Sequence, residues 1–83
     1  MPYMTAGTVD EILDMCWWHI AHRELEQRDS DFPDDPVDDR HRWVAARAMR
    51  WKLEHDRTAR ELLAARPDLG VEQLAETLRF ADT

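Results

Sequence analysis

The sequence predicts an all-α protein, and three features carry that prediction. Helix-forming residues dominate, and the only glycines are Gly7 and Gly70. No stretch alternates apolar and polar side chains in the manner of a half-buried strand. Apolar residues recur instead at three- and four-residue spacing, in stripes interrupted around 29–35 and again at 66–70. These breaks divide the 83 residues into an antiparallel helical hairpin, about 8–28 and 36–65, and a short third helix, about 71–81. So short a chain forms one domain, 1–83, with a thin core, and the expected remedy is assembly into a dimeric bundle.

The first helix is expected to start at Thr8, which with Glu11 has the form of a capping box. Val9, Ile12, Leu13, Cys16, Trp17 and Ile20 follow within one arc and form its core stripe. Residues 1–7 read as an N-terminal arm, docked through Tyr3 and Met4.

An acidic connection, 29–35, leads to the second helix. Asp35 is the expected N-cap, with Pro36 at the first helical position, where its missing N–H costs nothing. Asp38 and Asp39 would then sit in the first turn, favoured by the helix dipole. The seam of this helix is Val37, His41, Val44, Ala48, Trp51, His55, Thr58 and Leu62, a heptad spacing suited to helices crossing at a shallow angle.

Pro67, Asp68, Leu69 and Gly70 form a turn, and Val71, Leu74, Ala75 and Leu78 are the stripe of the third helix. That helix is expected to cover the C-terminal half of the second. The stretch 60–78, with Leu62-Leu63, Pro67-Asp68-Leu69 and Val71-Glu72-Gln73-Leu74-Ala75, resembles the first two helices of a winged helix-turn-helix domain. The resemblance implies a helix–turn–helix hairpin and no DNA-contacting residues.

Charge is sorted along the chain. Residues 1–39 hold eleven acids against Arg23 and Arg28, whereas 40–66 hold eight bases against Glu54, Asp56 and Glu61. Part of the basic charge is expected to pair within its own helix, as Asp38–Arg42, Arg50–Glu54, Asp56–Arg60 and Arg57–Glu61. The remainder, Arg40, Arg47 and Lys52, faces Asp10, Asp14, Glu24 and Glu26, an arrangement that would hold a hairpin or dimer in register.

No catalytic set emerges, and an enzyme is not expected. Cys16 lies in mid-stripe, where a thiol behaves as a small apolar group. No glycine-rich phosphate loop exists, and no cofactor is expected. His19 and His22 lie three apart on one helical face, which with a carboxylate allows a metalloprotein reading. Asp29, Asp31 and Asp34 form an acidic surface that admits a second alternative, imitation of a nucleic-acid backbone. Direct nucleic-acid binding by the basic helix is a further version of that alternative, though a net charge of −7 argues against it.

Four tryptophans occur. Trp17 and Trp51 lie on core stripes, whereas Trp18 and Trp43 lie off them, with Arg47 one turn from Trp43. The expected contact set is Trp18, Leu25, Trp43, Arg47 and Arg50, since Trp and Arg dominate interface hot spots. The expected function is that of a small protein-binding regulator, adaptor or inhibitor working through a helical surface, as a homodimer. A lone cysteine and no apolar run of membrane-spanning length point to the cytoplasm. The Arg-, Ala- and Asp-rich composition suggests a bacterial or phage source.

Overall fold

The computed structural model describes the backbone of residues 6–35 and 37–81 and the side chains of 9–35 and 37–80. It is all-α: α1 (Ala6–Asp31), α2 (Arg40–Ala65) and α3 (Val71–Ala81) pack as a bundle. Among the described residues no helix is long and apolar enough to cross a membrane.

Helix α1 begins two residues before the expected Thr8 cap, so Thr8 lies inside it. Tyr3, Met4 and the side chain of Thr8 lie outside the described residues. The helix also runs three residues past Arg28. Gln27 Nε2 donates to Asp31 Oδ1 at 3.0 Å, and the Phe32 amide closes the last turn onto Arg28 O at 2.9 Å.

The start of α2 is corrected. Its N-cap is Asp39, not Asp35, with the carboxylate accepting from the Arg42 amide at 3.0 Å. This bond satisfies one of the amides that a helix start leaves unpaired. Pro36 lies outside the described residues, and Val37 packs against the core instead of joining the helix. Asp38 therefore precedes the helix, and Arg42 is paired with Asp39, at 3.6 Å, in place of the expected Asp38.

The seam of α2 is also corrected. Val44, Ala48 and Trp51 are buried as expected, but the line then continues through Ala59 and Leu63, leaving Thr58 exposed. His41 is exposed as well. A strict seven-residue repeat drifts about 20° per heptad on a straight helix. That drift takes Thr58 off the buried side, while Leu62, five full turns after Val44, packs against the core and Ala59 and Leu63 are buried beside it.

Helix α3 has the expected bounds. Gln73 Oε1 accepts from the Gly70 amide at 3.2 Å, and Leu74 donates to Gly70 O at 2.9 Å, so Gly70 caps the start. Its docking differs from expectation: α3 packs chiefly on α1 rather than on the end of α2. At 26 residues each, α1 and α2 match in length, and no half of α2 is left for α3 to cover alone.

The core joins Leu13, Trp17 and Ile20 of α1 to Val44, Ala48 and Ala59 of α2 and to Leu74 and Leu78 of α3. Among the described residues four ion pairs run between α1 and α2. Asp10 meets Arg60, Asp14 meets Lys52 at 4.0 Å, Glu24 meets Arg47 at 2.5 Å, and Asp29 meets Arg40 at 2.5 Å. Numbers fall on α2 as they rise on α1. Glu24 also accepts from Trp51 Nε1 at 2.6 Å.

The two core tryptophans thus differ in their polar tips. The Trp17 indole N–H is buried with no partner, whereas that of Trp51 is bonded to a carboxylate. A bond to a charged group contributes about 1.5–3 kcal/mol, and an unmet donor costs about 1–3 kcal/mol. Trp51→Phe should therefore destabilise the protein more than Trp17→Phe in urea denaturation, by at least ~1 kcal/mol. Burial alone gives the reverse order, since Trp17 is 1% exposed and Trp51 8%. Observing that reverse order would show that the Glu24 bond adds nothing.

Candidate functional site

Cys16 is fully buried in the core, and burial pushes its thiol pKa from 9.0 up to about 12. A thiol held protonated is a poor nucleophile. His19 is half-buried, while the exposed His22 lies against Trp18 with ring centroids 6.0 Å apart. Among the described residues no group of three or more His, Cys, Asp or Glu side chains is placed to hold a metal ion.

The acidic segment is used locally. Asp29 bonds Arg40 and Asp31 accepts from Gln27, and Asp34 is exposed. Arg28 donates to the Asp35 carbonyl at 3.0 Å, lies 3.6 Å from the Asp35 carboxylate, and sits over the Phe32 ring at 5.9 Å. One arginine thereby ties the connection to the end of α1.

The basic helix is used in the same way. Each of the eight bases in 40–66 has a carboxylate within 4.0 Å. The expected pairs Arg50–Glu54, Asp56–Arg60 and Arg57–Glu61 form, at 3.2, 2.8 and 3.3 Å. Arg60 is bonded to both Asp56 and Asp10, which hold its pKa above the usual value.

The five expected contact residues do not share one surface. Leu25 is 2% exposed and belongs to the core. Arg47 is half-buried, bonded to Glu24, and its guanidinium lies 5.7 Å from the centre of the Trp43 ring. Arg50 is exposed and pairs with Glu54. Trp18 is half-buried and packs on His41 as well as His22. At about 100° per residue, Trp43 lies about 120° round α2 from Met49, which borders Trp18.

Two other surfaces carry exposed apolar side chains. The first is a groove of about 480 Å³ between the C-terminal ends of α1 and α3, floored by Trp51. Phe32 and Phe80 line it, 57% and 71% exposed, with Gln27, Arg28 and Arg79 beside them. The second lies between α1 and α2, where Trp17, Trp18, Ala45, Ala48 and Met49 line a groove of about 300 Å³ flanked by Asp14 and Lys52. Met49 is 57% exposed, and Met15 and Leu53, 59% and 78% exposed, lie on the same helices.

Sequence reasoning missed Met15, Met49, Leu53, Phe32 and Phe80. A signal existed for the first three: Met15 precedes Trp18 by three residues, and Leu53 follows Met49 by four, so each pair lies on one side of its helix. Comparison with protein-family models, curated proteins and solved structures found no match to this chain.

The Cys16 environment has a measurable consequence. With the folded thiol pKa near 12 and the unfolded one near 9, its contribution to stability is intact below pH 9. It is lost as pH rises towards 12, at up to about 1.4 kcal/mol per pH unit. Cys16→Ala should be the less stable protein at pH 8, and its deficit should shrink steadily by pH 11 in urea melts. A deficit independent of pH would contradict the burial of the thiol.

Proposed function

We propose that this chain is a small non-enzymatic protein-binding regulator, adaptor or inhibitor of the cytoplasm. We further propose that α1 and α2 form an antiparallel hairpin that pairs with a second copy in a four-helix arrangement. The observation that carries the binding reading is the aromatic groove at the α1–α3 end. Phe32 and Phe80, 57% and 71% exposed, line the same groove as Trp51, and an apolar patch bordered by polar side chains is the mark of an interaction site.

The chemistry of the groove defines what fits it. Its aromatic lining is Phe32, Trp51 and Phe80, and Glu24, Asp31, Arg28 and Arg79 add charges of both signs. An amphipathic helix of another protein, with one large apolar anchor and charged flanks, satisfies both parts. The paired state of the basic residues further favours protein over nucleic acid, because binding phosphate would require breaking existing ion pairs.

The test is comparative affinity capture in the native host with wild type and a Phe32→Ser/Phe80→Ser variant of unchanged helical content. A partner retained by wild type and depleted at least about tenfold by the variant is expected, in line with the loss of ~1.4 kcal/mol or more at a hot spot. Equal retention by both proteins would contradict the reading.

A further inference from the structure

The second apolar surface has a geometry that says how its occupant is oriented. Met15 and Trp18 lie within about 60° of arc on α1, and Met49 and Leu53 within about 40° on α2, at 100° per residue. The groove that joins Trp18 to Met49 has no residue of α3 in its lining, so this face is the one α3 leaves open.

The ion pairs set the levels along it. Asp14 is level with Lys52, Glu24 with Arg47 and Asp29 with Arg40. By the same register Met15 is level with Leu53, Trp18 with the Met49–Lys52 turn, Glu11 with Arg57, and Glu26 with Arg42. The face is about 39 Å long and two helices, about 20 Å, wide, which offers roughly 800 Å² per partner. That is the size of a standard stable interface.

We infer that a second copy of this chain covers the face, related by a two-fold axis that runs along the helices, so that each α1 lies on the partner's α2. This rests on the proposed dimer and adds its symmetry. The sorted charge chooses between the two ways of stacking the hairpins. Helix α1 carries seven acids against two arginines, and α2 carries seven bases against three acids. An axis across the helices would set α1 on α1 and α2 on α2, placing acid on acid and base on base. An axis along them sets opposite charges together at matching levels. Met15 then lies against Leu53 of the partner subunit and Trp18 against the partner subunit's Met49. Glu26 flanks the partner's Arg42, and Glu11 flanks the partner's Arg57.

Met15→Cys and Leu53→Cys chains carrying different tags test this directly, because both positions are exposed and Cys16 is buried. The two are treated with a short bis-maleimide, each alone and as an equilibrated mixture, and the oligomeric state of wild type is measured by sedimentation. The expected result is a wild-type dimer and a mixed Met15→Cys/Leu53→Cys product at least tenfold above either homodimeric product. A dimer that gives no mixed product, or equal amounts of all three, overturns the symmetry while leaving dimerisation standing. A wild-type monomer at all concentrations overturns the dimer itself. Neither outcome bears on the Phe32–Phe80 groove, whose reading stands or falls on the capture experiment.

Discussion

Glu24 is the constraint on which the arrangement depends. Its carboxylate, 24% exposed, accepts from Trp51 Nε1 and from two nitrogens of Arg47. A half-buried acid of this kind is stable only while its donors stay in place, since an unpaired charge there would bear the full desolvation cost. Sliding α2 by one turn would carry Arg47 and Trp51 about 5.4 Å away and strand the carboxylate. The core between α1 and α2 includes Ala21, Ala48 and Ala59, small side chains that interlock less than the larger ones beside them. Apolar burial drives the helices together, and Glu24 selects the level at which they meet.

That level organises the exterior. Once Glu24 meets Arg47, Asp14 falls beside Lys52 and Asp29 beside Arg40, and the apolar side chains on the open face line up in two matching rows. The exposed ion pairs are individually worth about 0–1 kcal/mol, so their contribution is to geometry more than to stability. Much of the charge sorting that stands out in the sequence is therefore satisfied between α1 and α2 of the same chain. Bases along α2 answer acids along α1, leaving little of the basic helix to attract phosphate.

The sequence was most legible where one physical signal stood alone. The turn at Pro67 to Gly70 has no competitor, and α3 has the bounds read from it. Trp17 and Trp51 were assigned to the core because each sits amid a regular apolar stripe. Where several residues offer the same chemistry, the reading failed. Four aspartates precede α2, and any could cap it. Pro36 favoured Asp35, but packing of Val37 against the core moves the cap to Asp39. The heptad reading of the α2 seam fails at His41 and Thr58, which are exposed, and holds at Leu62, which packs against the core. Leu25 was read as surface because it lies off the main stripe of α1, yet it is buried in the shared core. A stripe shows the centre of a buried face and not its width, which depends on how many helices pack around it. The spacing of Met15 to Trp18 and of Met49 to Leu53 puts each pair on one side of its helix, but spacing alone does not say whether that side is covered.

The register of α1 on α2 rests on Glu24 acting with Arg47 and not merely near it. A double-mutant cycle with Glu24→Gln and Arg47→Met, read as unfolding free energy in urea, isolates that coupling. The two substitutions keep side-chain volume while removing charge. A coupling energy of about 1–2 kcal/mol is predicted, with either single variant costing nearly as much as the pair together. Additivity within about 0.3 kcal/mol would contradict the account, and the register of α1 on α2 would then have to come from packing alone.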